Sequence, residues 1–358
     1  MDSIKLVALF MLGCSAALTL QVYYYSPISP QIFHLPTPSS THLLLPANTY
    51  LQEVNKIGEG QLQGPEDIWV DKEGIVYTAT RDGWIKRLHK NGSLENWKWV
   101  HNGSLLGMAP LAAGGIVVCD TELGLLKVTE DNGVTSLVSQ FNGSQINFAD
   151  DVIEAKDGNL YFSVASTKYG FREWNLDVLE AIPHGQLLKY NPKTDQVSLL
   201  LDNLGFANGV ALSKDEDYLL ICESWKCRCL KYWLDSELEG TAEVFIENLP
   251  GGPDNINLAP DGSFWISLIP LSPKGFEFLY TSKIARHVMA TFPRIADTLE
   301  AFNKRATVVK VSENGKILAK YDDPNGKVLN FVTSAFEYQG HLYLGSLKSN
   351  FVGKLPIV

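Results

Sequence analysis

The chain has 358 residues, 45 % hydrophobic and 20 % charged, a globular balance that excludes both a disordered chain and a multi-spanning membrane protein. Lys and Arg number 30 against 40 Asp and Glu, a net charge of −10, so no basic surplus exists to neutralise phosphates and nucleic acid is excluded as a partner. An acidic chain sooner holds a hard cation or draws a cationic substrate.

The N-terminus reads as an address. Residues 6–25 are apolar except for Ser15, Thr19 and Gln21. Two readings stay open: a signal peptide with small residues Ser15, Ala16 and Ala17 at its cleavage site, or an uncleaved anchor of bilayer-spanning length. Both direct the rest of the chain into the secretory pathway, to the vacuole, the endoplasmic reticulum or the exterior. Sequons at Asn91, Asn102 and Asn142 agree, although each Asn-Gly pair also reads as a hairpin turn. Residues 26–48 are Pro- and Ser-rich without periodicity and read as a linker. One domain is expected over residues 49–358, since no second linker follows. Apart from Cys14, the cysteines are Cys119, Cys222, Cys227 and Cys229, too few for a disulfide framework; buried thiols or one distant disulfide are expected.

Within the domain a strand–turn–strand unit recurs. Its first copy is Ile68-Trp69-Val70, a polar turn ending at Gly74, then Ile75-Val76-Tyr77. Further copies begin at Ala109, Val152, Val210, Ile256 and Ala335. With the additional strands between them the spacing is roughly 40–60 residues, the period of a propeller blade. Six units predict an all-β, six-bladed β-propeller, with residues 53–58 supplying the outer strand of the last blade. Residues 166–183 interrupt blade three. Residues 270–305 interrupt blade five and carry Ile284, Val288, Phe292, Ile295, Leu299 and Phe302 at helical spacing. That helix is expected as a packed edge element, a lid or a membrane contact.

The repeat allows equivalent positions to be compared. Eight residues before each turn glycine, or its equivalent, stand Glu66, Gly107, Asp150, Asn208, Asp254 and Val332. The next positions hold Asp67, Met108, Asp151, Gly209, Asn255 and Thr333. These lie at the start of the innermost strands, which face the central channel. Converging carboxylates repel in a low-dielectric channel unless they keep protons or hold a cation. Oxygen donors of mixed carboxylate and amide type predict Ca²⁺, with Mg²⁺ or Mn²⁺ admissible, at Glu66, Asp150, Asn208, Asp254 and Asn255. Asp67 and Asp151 are expected to form a second metal site one step down the channel. The alternative is that these residues cap strands and bond backbone amides. Other chemistry is sparse: no Gly-x-Ser-x-Gly elbow occurs, and His184, after an insertion, is the one histidine expected as a base.

The runs Gly64-Pro65-Glu66-Asp67-Ile68, Phe206-Ala207-Asn208-Gly209-Val210 and Pro253-Asp254-Asn255-Ile256 resemble the strictosidine synthase-like family, over nearly all of residues 50–358. The resemblance implies a six-bladed propeller distantly similar to paraoxonases and gluconolactonases. In paraoxonase-like propellers the residues matching Glu66, Asp150, Asn208, Asp254 and Asn255 hold a catalytic calcium, and those matching Asp67 and Asp151 a structural one. Leu106 stands where paraoxonases carry a catalytic His. True strictosidine synthases use a glutamate at the entry to the last blade; here Asn330-Phe331-Val332-Thr333 has no carboxylate, and Glu337 falls inside the strand. The expectation is a metal-dependent hydrolase of a small ester or lactone, with Asp150 or Asp254 activating water. A Pictet–Spengler condensing enzyme of alkaloid biosynthesis and a non-catalytic ligand-binding propeller with a structural ion are the alternatives. The expected partner is a small molecule, the chain a monomer or weak oligomer, with membrane contact only through the N-terminal segment.

Overall fold

A computed structural model describes residues 3–34, 45–131, 133–271 and 278–357. Residues 35–44 of the expected linker and 272–277 of the blade-five insertion lie outside the described residues, as do the side chains of Leu299 and Phe302.

Six four-stranded antiparallel sheets form the six blades expected. Their inner strands are Pro65–Val70, Leu105–Pro110, Ala149–Glu154, Ala207–Leu212, Gly252–Leu258 and Val332–Tyr338. Blade six is closed by the N-terminal strand Asn55–Ile57, which pairs with Val352–Pro356 in the register Asn55↔Lys354. This joins the two ends of the propeller, as residues 53–58 predict.

The turn after each inner strand explains the repeat. In blade one the Gly74 amide donates to the Asp71 carbonyl at 3.0 Å, and Gly74 takes φ 77°, a left-handed conformation that suits glycine. Burial follows from strand alternation. One face of each blade packs on the blade before it and the other on the blade after it, so the inner strands are apolar on both faces. Leu106, Val117 and Cys119 of blade two meet Val152, Leu160 and Phe162 of blade three. Leu220 and Cys222 of blade four meet Phe264 and Ile266 of blade five.

Every inner strand carries a register break near its start, between Pro65 and Asp67, Leu105 and Met108, Ala149 and Val152, Ala207 and Val210, Pro253 and Ile256, and Val332 and Ser334. A bulge suspends strict alternation. Two consecutive side chains can then be buried at the channel, as Glu66 and Asp67 are, at 2 % and 4 % exposure.

A disulfide joins Cys222 to Cys229, register partners on adjacent strands of blade four. It is a local pairing rather than the distant one expected; Cys119 and Cys227 are buried thiols.

Helix α1 spans Ser3–Tyr25. The blade-three insertion forms α2, Trp174–Glu180. The described residues of the blade-five insertion form three helices rather than one: α3 (Phe278–Thr281), α4 (Lys283–Thr291) and α5 (Pro293–Phe302). Met289 and Ala290 of α4 pack on Leu179 of α2 and on Tyr169. The described start of the linker is docked, not free. Ser29 and Gln31 donate backbone amides to the Glu180 carboxylate and carbonyl at 2.8 and 2.9 Å, and the fully buried Arg286 donates to the Gln31 and Phe33 carbonyls.

Candidate cation centre in the channel

Glu66, Asp150, Asn208 and Asp254, from blades one, three, four and five, line one cavity of about 290 Å³ at the end of the channel where the inner strands begin. Each comes from the bulge of its strand. Asn255 is placed beside them, its amide nitrogen donating to Glu66 Oε1 at 3.0 Å. Asn208 stands beside the Asp254 carboxylate and favours its charged form. Three oxygens in this set, Glu66 Oε2, Asn208 Oδ1 and Asn255 Oδ1, are buried without a hydrogen-bond partner.

The electrostatics are those of an acid cluster taken out of water. Burial, then the charges of Asp254, Asp67, Asp150 and Asp151, holds the Glu66 carboxyl well above its ordinary range. Burial, then Asp254 and Asp151, does the same to Asp150. Asp254 is pushed up to about 8 by burial, against the lowering effect of Asn208. Among the described residues no three His, Cys, Asp or Glu side chains form a metal cage by themselves. A cation held here therefore uses the amide oxygens as well as carboxylates. The orphaned oxygens are of the type a hard divalent ion takes, so the donor set fits one.

Asp67 and Asp151 are differently placed. Asp67 Oδ2 accepts from the Met108 amide of blade two at 2.9 Å, and Oδ1 accepts from the Ile68 amide and the Ser334 hydroxyl at 2.8 and 2.6 Å. Asp151 Oδ2 accepts from Val210 of blade four and Oδ1 from Val152, both at 2.8 Å. Both therefore make the strand-amide bonds foreseen as the alternative to a second metal site, each tying its blade to the next.

The sequence register needs correction in two blades. In blade two the turn residue equivalent to Gly74 is Gly114, whose amide donates to the Leu111 carbonyl, and not Gly115. Blade six has a two-residue turn, Gln339-Gly340, between the paired Tyr338 and His341. The equivalents of Asp150 are therefore Leu106 and Thr333. Leu106 lines the cavity wall.

His184, expected as a base, does not line the cavity. Its ring is held by Glu180 at 3.0 Å, a buried carboxylate that also takes the Lys168 ammonium. Glu337 is bonded by the Trp265 indole at 2.7 Å and by Lys310, as a link between blades five and six. The three sequon residues, Asn91, Asn102 and Asn142, are exposed.

The cavity walls were not foreseen. Phe148, Phe206, Phe171, Trp174 and Phe331 form them, with Phe148 edge-on to both Phe206 and Phe171 at 5.4 and 5.6 Å. Arg81, Arg172 and Lys348 stand around the same cavity. Phe206 and Phe331 have φ 63° and 54°, left-handed values rare for bulky residues. A sequence signal existed: Phe148-Ala149-Asp150, Phe206-Ala207-Asn208 and Phe331-Val332-Thr333 each put Phe two residues before a channel position.

The strictosidine synthase family model matches residues 150–237, and the strictosidine synthase-like N-terminal model matches residues 45–88. The chain is 33 % identical to mouse adipocyte plasma membrane-associated protein, covering 97 % of this chain and 89 % of that one. It is 33 % identical to strictosidine synthase-like protein 4 of Arabidopsis thaliana, covering 96 % and 93 %. Among solved structures, a gluconolactonase of Xanthomonas campestris superposes with TM-score 0.61 at 15 % identity, over 93 % of this chain and 98 % of that one. The calcium-binding protein regucalcin of Agrobacterium tumefaciens superposes with TM-score 0.56 at 16 % identity, over 87 % and 94 %. These two share the fold. The full-length identity to the plant and animal relatives goes further: this chain belongs to the strictosidine synthase-like family.

Proposed function

We propose that the chain is a divalent-cation-dependent hydrolase of small esters or lactones, working in the channel cavity. The observation that carries the reading is the set of three orphaned oxygens, Glu66 Oε2, Asn208 Oδ1 and Asn255 Oδ1, buried beside Asp150 and Asp254. A buried acceptor left without a partner costs about 1–3 kcal/mol, and three together call for an occupant. Glu66, Asp150, Asn208, Asp254 and Asn255 would hold Ca²⁺ first, with Mg²⁺ or Mn²⁺ as substitutes. When bound, the ion supplies polarisation of an ester carbonyl and stabilisation of the developing oxyanion.

The chain's own residues supply the rest. Asn255 fixes the Glu66 carboxylate by its 3.0 Å bond. Asp150 or Asp254 accepts a proton from the attacking water, a role worth typically 10²–10⁴-fold. The aromatic walls hold the apolar part of the substrate and exclude bulk water. The gluconolactonase and regucalcin folds support lactone chemistry and calcium respectively. Leu106 at the paraoxonase histidine position, and the absence of a carboxylate across residues 330–333, weigh against paraoxonase-type and Pictet–Spengler mechanisms. The apolar N-terminal helix and exposed sequons support a secretory-pathway address.

The test is metal content together with aryl-ester and lactone turnover on purified full-length chain, before and after chelation. Bound calcium with chelator-sensitive turnover, and a 10²–10⁴-fold loss in Asp254→Asn with the fold retained, supports the reading. Bound calcium without turnover on any ester or lactone makes the ion structural and the propeller a binding module. Absence of bound divalent metal removes the reading.

A further inference from the structure

We propose that the outer face of the α4–α5 insertion is a second membrane contact, seated in the lipid interface beside the end of α1. The 23 residues of α1 make a helix of about 34 Å at 1.5 Å per residue, enough for a hydrocarbon core of about 30 Å. It ends in Tyr23-Tyr24-Tyr25, exposed at 68, 80 and 75 %, the aromatic composition of a membrane–water boundary.

The insertion meets α1 at that end. The Tyr23 ring lies 5.4 Å from the His287 ring, and the Thr291 hydroxyl donates to the Val22 carbonyl at 3.5 Å. Between them is an almost wholly apolar groove of about 430 Å³, walled by Leu18, Val22 and Tyr23 on one side and by Ile284, Val288 and Phe292 on the other. Leu18 is seven residues, roughly 10 Å, inside the end of the span. Side chains that share a groove with it stand at the depth of lipid headgroups and upper acyl chains.

The two faces of α4 divide accordingly. Arg286, Met289 and Ala290 are buried toward the propeller. Ile284 is 67 % exposed, Phe292 41 % and Ile295, at the start of α5, 42 %. Lys283 and Arg294, both exposed, flank this apolar face and suit anionic headgroups. The occupant is lipid rather than another protein because one wall of the groove is α1, the candidate membrane span, so with α1 retained as the anchor the face continues its apolar surface.

The experiment uses the full chain, α1 retained, reconstituted in phosphatidylcholine–phosphatidylserine vesicles. A single environment-sensitive label is placed at Cys14, or, in a Cys14→Ser background, at Ile284→Cys, Phe292→Cys or Asp215→Cys. Asp215 is an exposed turn residue at the opposite end of the propeller, and Cys119 and Cys227 are buried from the reagent. Lipids brominated on the acyl chain serve as quenchers. Quenching at 284 and 292, weaker than at the deeper Cys14 but clearly above the background at 215, is the expected result. Quenching at 14 alone, or at none of the sites, overturns the proposal. So does disulfide-linked dimer formation through Phe292→Cys without quenching, which would assign the face to a second copy of the chain.

Discussion

Removing the divalent cation reads the channel acids directly, because their protonation then has to do what the ion does. In the metal-free native chain Asp254 keeps its proton to about pH 8 and Asp67 to about pH 6, whereas an unfolded Asp releases it near 3.9. The native state therefore holds more protons than the unfolded state across this window, and stability falls as pH rises. Each such group contributes a slope of about 1.4 kcal/mol per pH unit between its unfolded and folded pKa. Two act from about pH 4 to about pH 6, and Asp254 continues to about pH 8. Glu66, Asp150 and Asp151 are raised as well and act in the same sense. Asp261, held down to about 2 chiefly by the Ser263 hydroxyl, acts in the opposite sense, below this window. The loss is several kcal/mol by neutral pH, comparable with the 5–15 kcal/mol that holds a domain folded. The assay is thermal melting across this pH range, chelated and calcium-replete. The chelated melting temperature should fall steadily with pH, the replete curve should fall less steeply because Asp67 and Asp177, each raised to about 6 by burial and neither among the cation's donors, titrate in both, and the gap should widen toward pH 8. Superimposable curves, or a chelated chain more stable at pH 8 than at pH 5, would refute both the acid cluster and its ion.

Gly209→Ala puts a Cβ 2.5 Å from the Asp254 carbonyl oxygen and 2.6 Å from the Ile256 nitrogen, backbone atoms that cannot rotate aside. It should cost about 1–3 kcal/mol or more and weaken calcium binding; an unchanged melting temperature and affinity would contradict the packing described. Replacing Cys222 and Cys229 together by Ala opens a loop of sequence separation 7 and should cost about 2 kcal/mol in chemical denaturation, with turnover retained. His184→Ala removes one bond to the buried Glu180 and should lower stability by about 1 kcal/mol while leaving ester turnover intact; loss of turnover would return His184 to the site.

The architecture was legible because the propeller repeats its turns: in blades one, two, three and five a glycine (Gly74, Gly114, Gly158 and Gly262) stands four residues after the last inner-strand pair. The acids were legible for the same reason, since Glu66, Asp150 and Asp254 precede their turns by a fixed interval. Two things were hidden. The bulge is backbone geometry, and no residue type announces it, so the separate roles of Glu66 in the cavity and Asp67 on the neighbouring blade could not be read from their adjacency. Turn length was the other. The doubled Gly114-Gly115 and the short Gln339-Gly340 turn each shifted the register by one, which hid Leu106 and Thr333 as channel positions. The walls were illegible for a third reason: Phe171 and Trp174 come from an insertion that lies outside the repeated unit, so the repeat says nothing about where they fold. The disulfide followed from pairing register, which Cys222 and Cys229 reveal only once their strands are aligned.

The bulges also explain why acidic residues occupy alternate blades. Gly107 of blade two has no room for a Cβ, which would meet the Asp151 carboxylate and Cα at 2.3 and 2.6 Å. Gly209 of blade four is pressed in the same way on the Asp254 and Asn255 backbone, and Gly345 of blade six on the Glu66 carbonyl. Each acid-bearing bulge, in blades one, three and five, thus has a glycine of the preceding blade against it. On the other side Asp67 and Asp151 hold the following blade by a backbone amide, and blade five reaches blade six through Asn257 and Ser334. Every junction between neighbouring blades is thus held near the channel. A carboxylate in a bulge clamped from both sides cannot move out to water when it loses its proton. That is the physical reason for treating the acids, their glycine neighbours and the ion they imply as one unit, and for expecting Gly209→Ala to disturb cation affinity as well as packing.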